Sequence, residues 1–497
     1  QVQDVHIATM NIGAVFSYDG RGFQPSEFGT VPPTGTELKR IDDGILETML
    51  KSYRDEIFYL GRIYGSYTKM PFWFKHFGTG RNGAGEAYHI GIFGKTGSGK
   101  SVLAKLMLIA YARHKQMSII VIDPQGEFSK DFSGYPSPGH FKLNLKEIVG
   151  ERLKRKIDYL PVKNLLLDRW ELFEEILAES EFFEKLTIPK GENRNLACRI
   201  VVDELRKKKV KLTDLWKKET LEIAWQILND ENNLRIIYKT EGSRKRFVEA
   251  MESADRNELY ENIWMRIGML FNQERNNCVK IEQMLSKIFQ QADEGTIISV
   301  DLSEESIPPE LYWNRKIQLL IIQRLLNGIR VAAENSYKQG KSLNCLVILD
   351  EAHRFAPREK PEEEEIKSVR DVLLDAVRTT RKYGLGWMFI SQTISSLHRE
   401  IINQLRIMFF GYGLSMGAEL LALKEIIGGD PHTLGLYQSF RDPHSFDVSS
   451  RQYSFMSVGP VSPLSFSGTP LFFTAFNNPE EFLKANNIYR LRSLFDD

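Results

Sequence analysis

The chain has 497 residues, 42% of them hydrophobic and 26% charged, with a formal net charge of +1; this is the balance of a globular protein of two or three domains and excludes a disordered one. No apolar run approaches the roughly 18 residues of a spanning helix, and the first residues lack the basic segment and apolar core of a signal peptide, so a cytoplasmic protein without membrane attachment is expected. Cys198, Cys278 and Cys345 are far apart with no C-x-x-C pair, which suggests neither a disulfide framework nor a zinc site, and the near-neutral charge confines any nucleic-acid contact to local patches.

Residues 1–76 mix short alternating runs such as "HIATMNIGAVFSY" with aromatics and one helix pattern near "DDGILETMLKSYRDEIFYLGRIY". They predict a small, mostly β, barrel-like domain. Residues 77–87, with four glycines and no periodicity, predict a linker.

"HIGIFGKTGSGKSVLAKLMLIAYARHKQ" follows at 89–116 and matches G-x-x-x-x-G-K-[ST] with Gly94, Lys95, Thr96, Gly97, Ser98, Gly99, Lys100 and Ser101. It sits between an apolar strand and a helix-period segment, the context this phosphate-binding motif requires. Its glycines let backbone N–H groups curl round phosphate oxygens at the positive end of the next helix. Lys100 is expected on the β/γ-phosphates of ATP and the Ser101 hydroxyl on Mg²⁺. A strand, "SIIVIDPQGEF" (118–128), closes the first part of this α/β core at about residue 140.

Residues 141–288 are helix-periodic and charge-rich, with little strand character, and predict an inserted α-helical bundle. Its basic run "RKKKVK" (206–211) is read as a solvated helix end in preference to a DNA patch.

The core resumes over 289–455. "GTIISVDLSEE" (295–305) is a strand leading into a helix with apolar Leu319, Leu320, Ile322, Leu325, Leu326 and Ile329. "NCLVILDEAH" is a buried-strand run ending in Asp350, expected to hold Mg²⁺ through water, and Glu351, expected to polarise the attacking water. "YGLGWMFISQT" (383–393) ends in Gln392, a candidate to sense the γ-phosphate or orient water; a plain strand-end turn residue is the alternative. Strands alternating with helices predict a parallel sheet with ligands at the carboxyl ends of the strands, where the phosphate loop, Asp123, Asp350 and Gln392 all fall. The tail, 456–497, predicts a β-rich strap and a short helix opened by Pro479.

The letters "DEAH" at 350–353 do not make this a two-lobed helicase. About 250 residues separate Lys100 from Glu351, and the 146 that remain cannot both finish the first lobe and supply a second. A single lobe leaves the cation that neutralises developing charge on the γ-phosphate to a neighbouring subunit. Arg378 and Arg381 share a face at i and i+3 of a helix pattern; surface ion pairs or DNA-backbone contacts are the alternatives for both. Arg358, Lys360 and Arg399 lie in the loops after the last two strands.

In order along the chain, "HIGIFGKTGSGKS", "VIDPQGEF", "ISVDLSEE", "LVILDEAHRFAP", "VRTTRKYGLGWMFISQTISSL" and "DVSSRQYSFMSVGPVSP" resemble the HerA/FtsK superfamily, and HerA most closely. The resemblance implies a RecA-like ATPase core in a hexameric ring that pumps double-stranded DNA through its centre. It also implies an N-terminal β-barrel that docks a partner nuclease or an anti-phage defence effector, and a C-terminal strap lying on the neighbouring subunit. Arg378 and Arg381 match the arginines of the family's R-x-x-R-K-x-G stretch. The loops that carry Arg358, Lys360 and Arg399 face the channel in the rings this chain resembles, and that resemblance makes the three candidate DNA-phosphate contacts. The other readings are an ATP-dependent assembly scaffold with little translocation and a secretion or conjugation ATPase.

Overall fold

The computed structural model describes residues 13–27, 29, 32–134, 141–290, 294–465 and 469–489; the start of the first alternating run, "HIATMN", lies outside them. The described strands are β1 (Phe16–Tyr18), β2 (Phe23–Pro25), β3 (Ile57–Ile63), β4 (Lys69–Trp73), β5 (Ile90–Phe93), β6 (Ser118–Asp123), β7 (Ile157–Pro161), β8 (Leu165–Leu166), β9 (Val279–Lys280), β10 (Ile297–Asp301), β11 (Cys345–Leu349), β12 (Leu385–Ser391), β13 (Ile407–Gly411), β14 (Tyr453–Val458) and β15 (Leu471–Ala475).

Eleven of them form one sheet, in the order β4-β3-β15-β14-β13-β5-β12-β11-β6-β10-β7. From β13 to β7 all neighbours are parallel. The inner strands of this set, β5, β6, β10, β11 and β12, read as apolar runs because helices cover both faces. On β6, Ile120 and Ile122 join one core while Ile119 and Val121 join the other; on β11, Val347 and Leu349 divide from Leu346 and Ile348 in the same way. That alternation is the strand's two-residue period. The helix Lys100–Ala112 lies on one face. On the other lie Arg315–Lys338 and Glu364–Thr380, joined by Gln323 Nε2 to Ser368 Oγ at 2.6 Å.

Three expectations are corrected. The small N-terminal β region is present, with the hairpin β1–β2 at its start, but β3 and β4 do not close into a barrel. They pair antiparallel, and β3 continues through β15 into the large sheet; its apolar residues Phe58 and Leu60 are buried there. Next, 141–288 is not helical throughout. "IDYLP" is β7, the far edge strand on β10, half-buried and ended by Pro161, as suits an edge. Helices then run from Trp170–Glu179 to Met265–Met269. Finally, the described part of the strap lies on its own chain. β14 and β15 extend the sheet, and the helix Pro479–Ala485 seats Phe482 against Phe58, ring centres 5.5 Å apart.

Chain segments more than 400 residues apart are thus clasped. Asn486 accepts the Tyr59 N–H and donates to the Tyr59 carbonyl, each at 2.8 Å, and Arg62 pairs with Glu481 at 2.5 Å. The glycine-rich segment 77–87 is docked as well: Phe77 is buried and its N–H donates to Asn344 Oδ1, just before β11, at 3.0 Å. No helix among the described residues is long and apolar enough to cross a membrane.

Candidate nucleotide site

β5 ends in the loop 94–99, which hands over to the helix at Lys100. Gly97 and Gly99 have φ of +80° and +90°, a region costly for residues with a Cβ. Space forbids a Cβ there too: at Gly97 it would enter the His444 imidazole, and at Gly99 the Tyr453 ring. The Ser98 hydroxyl is buried without a hydrogen-bond partner, and Lys100 Nζ donates to the Lys95 carbonyl at 3.2 Å. Burial holds Lys100 below its ordinary pKa, against the pull of Glu351, Asp350 and Glu127. An orphaned hydroxyl and a partly desolvated ammonium at the start of a long helix suit a polyphosphate. The Ser101 hydroxyl and the Asp350 carboxylate are hard oxygen donors of the kind Mg²⁺ takes.

At the tip of β11, Asp350 is buried and accepts the Glu351 N–H at 2.9 Å. Burial, then the nearby carboxylates of Asp123, Glu127 and Glu351, push its pKa well above the ordinary range. Such crowding of acids calls for a cation. Glu351 is a non-glycine residue at φ +51°, the kind of backbone strain that persists where the surroundings over-determine it. Its Oε1 accepts from Gln392 Nε2 at 3.0 Å, and Gln392 Oε1 accepts from the Thr96 hydroxyl at 3.3 Å. Its Oε2 faces His353 Nε2 at 3.5 Å and Arg354 Nε at 3.8 Å. Phosphate loop, β11 and β12 are so joined by one chain of polar side chains.

Asp123 sits at the tip of β6, but its carboxylate is committed to the fold. It accepts four backbone N–H groups, from Gly126, Glu127, Phe128 and Ser129, at 2.7–3.2 Å. That closes the turn after β6 and carries Glu127 to the mouth of the site, near Lys100 and Asp350.

The arginine pair lies elsewhere. Arg378 is ion-paired with Glu400, and Arg381 with Glu86 at 2.7 Å. Both precede β12, and its seven residues put them about 20 Å from Gln392 at its other end. The shared face expected for them is divided between these two partners. Arg358 and Lys360 are exposed in the loop after β11, and Arg399 opens the helix Arg399–Gln404 with an exposed pair to Glu425. The loops that carry them are tied together: Arg358 N–H donates to the Ser396 carbonyl at 2.7 Å and His398 N–H to the Ala356 carbonyl at 2.9 Å.

Glu127, His353, Arg354, His444 and Tyr453 border the site without having been singled out from sequence. The first three adjoin motif residues, in "DPQGEF" and "DEAHR", and were within reach of a closer reading. His444 and Tyr453 lie more than 300 residues beyond the loop they cover, with no local signal.

Residues 87–329 match the family model described as Helicase HerA, central domain. None of the curated proteins matches the chain. Among solved structures, the chain is similar to the genome packaging NTPase B204 from Sulfolobus turreted icosahedral virus 2 in complex with ATP-gammaS, at 11% identity over 78% of this chain and 96% of that one, TM-score 0.32. It is also similar to VirB4 of Thermoanaerobacter pseudethanolicus, at 13% identity over 85% and 97%, TM-score 0.43. The family match takes in the phosphate loop and β6, and over residues 87–329 the chain is similar to the central domain of the HerA helicases.

Proposed function

We propose that this ATPase is the subunit of a ring, a hexamer by resemblance, that hydrolyses ATP at subunit interfaces and moves double-stranded DNA through its centre. A nuclease or a defence effector docks on its N-terminal region. The observation that carries this reading is the placement of Arg378 and Arg381, each about half-exposed and a strand's length from their own Gln392. They cannot serve their own nucleotide and are open to a neighbour's.

In this reading the phosphates lie on backbone N–H groups of the phosphate loop and on Lys100, and Ser101 and Asp350 would hold Mg²⁺. The metal, when bound, neutralises charge across the β/γ-phosphates. Gln392 grips one oxygen of Glu351 and holds the carboxylate where it orients the attacking water and takes its proton. The neighbour's Arg381, with Arg378 beside it, stabilises charge on the transferred group. Arg358, Lys360 and Arg399 contact DNA phosphates, which makes binding sequence-independent and salt-sensitive.

The test is steady-state ATPase of wild type and Glu351→Gln, with and without linear duplex DNA, after light scattering has sized the assembly. A ring-sized particle whose hydrolysis rises with duplex, falls with salt and vanishes in the variant supports the motor. A dead variant with no response of the wild type to duplex removes the motor and leaves a scaffold that assembles an effector.

A further inference from the structure

β12 pairs with β5 as far as Ser391 opposite Phe93. Gln392, whose amide reaches both Glu351 and Thr96, is therefore the first residue beyond that ladder, and its backbone depends on the turn that follows. A side chain from another element holds this turn. Glu419 Oε2 accepts the Ile394 N–H at 2.7 Å, and Oε1 accepts the Ser395 N–H at 3.2 Å together with the Ser395 hydroxyl. Glu419 is the third residue of the helix Gly417–Ile427, which follows β13. In the sheet β5 lies between β12 and β13, so the contact joins the two strands that flank the phosphate loop's own. That loop is tied to the same stretch, since the Lys95 N–H donates to the Tyr412 carbonyl at 3.0 Å.

We infer that Glu419 is a positioning residue which, by fixing the turn after β12, holds Gln392 where its amide reaches Glu351. The inference rests on the reading of Gln392 as the group that holds the Glu351 carboxylate. A carboxylate is all acceptor and takes three donors at its two oxygens; bonds to a charged acceptor are the stronger kind. Without it, two backbone N–H groups at the root of the turn lose their partner, and Ile394 is fully buried. The turn then shifts to find others, and a displacement of about 1 Å at Gln392 is enough to spoil the geometry of hydrolysis. Lys100 and Asp350 make no contact with Glu419, so nucleotide binding is spared.

The test compares kcat and KM for ATP, with Mg²⁺, in the full chain and in E419A, E419Q, Q392A, E419A/Q392A and E419Q/Q392A, each checked by thermal melting. E419A is expected to lose about 10- to 100-fold in kcat with KM for ATP unchanged. E419Q keeps one acceptor and sets an amide nitrogen against the remaining donors, so it loses less than E419A. Either change made on top of Q392A costs nothing further, because Glu419 acts only through Gln392. A general loosening of the fold would lower Q392A as much as it lowers the wild type. E419A within about twofold of wild-type kcat, a rise in KM that accounts for the loss, or a further loss in the Q392A background overturns the inference. Should E419A not fold, E419Q decides by the same comparisons: a kcat-only loss that disappears in the Q392A background supports the inference, and wild-type kcat overturns it. Q392A at wild-type kcat would instead remove the reading of Gln392 on which the inference rests.

Discussion

Gln392 Nε2 stands 3.0 Å from Glu351 Oε1, and the same amide reaches the phosphate loop through Thr96. Truncation of Gln392 to alanine frees the carboxylate and removes the one Thr96 hydrogen bond, while Lys100 and the loop backbone stay in place. The expected outcome is a loss of about 100-fold in kcat with nucleotide affinity retained, read by steady-state hydrolysis beside titration with a fluorescent ATP analogue.

Arg381→Ala is expected to leave ATP binding intact and remove hydrolysis by a factor of about 10³ or more. Glu86→Ala, which releases the same arginine from its ion pair, keeps hydrolysis. Mixing Arg381→Ala with Glu351→Gln subunits restores turnover, since the second donates its arginine to the intact carboxylates of the first. Absence of any recovery on mixing sinks the exchange of arginines between subunits.

Asp350→Asn removes a charge that burial and three neighbouring acids disfavour. In the absence of nucleotide it is expected to stabilise the protein by about 0.5–2 kcal/mol while abolishing Mg²⁺-dependent hydrolysis. Thermal melting and ATPase assays on the same preparation check both halves.

Lys105 and Asp131 form a buried ion pair at 2.6 Å, the side chains 8% and 2% exposed. Lys105→Met leaves a buried carboxylate without its cation and is expected to cost about 3–5 kcal/mol. Lys105→Met with Asp131→Asn recovers most of the loss, as urea denaturation of the three proteins would show.

His89 accepts the Trp387 N–H at Nδ1 and contacts the Val377 carbonyl through Nε2; His114 is bound to the Phe74 carbonyl. Burial lowers each ring to about 4, below the ordinary value near 6.5. Unfolding therefore takes up protons as pH falls. Stability is fully present above about pH 6.5 and drains away towards pH 4, by up to about 3 kcal/mol for each ring. Denaturation midpoints at pH 7, 6 and 5 should fall in that order, and less steeply in His89→Gln.

The strands that carry the site were legible because β5, β6, β10, β11 and β12 are buried on both faces and write themselves as apolar runs ending in glycine, acid or glutamine. β7 was missed because an edge strand of five residues, three of them only partly buried, carries little period. The place of β3 and β15 was beyond local reading. Phe473 faces Ile63 across the ladder, and no pattern within either segment announces a partner 400 residues away. The same holds at the site: Asp350, Glu351 and Gln392 stand at strand tips where spacing put them. Asp123 stands there as well, but what its carboxylate binds depends on the turn that follows, and which acid at a tip stays free is decided by packing.

The clasp between β3 and β15 bears on how a pull would pass through this protein. A linker would slacken under a pull on the helix Asp43–Met49, but here the chain passes within a few residues into a hydrogen-bonded ladder. Load entering at β3 crosses β15, β14 and β13 to β5, the strand whose last residue is followed by Gly94. Whatever grips the N-terminal region has a taut line to the phosphate loop.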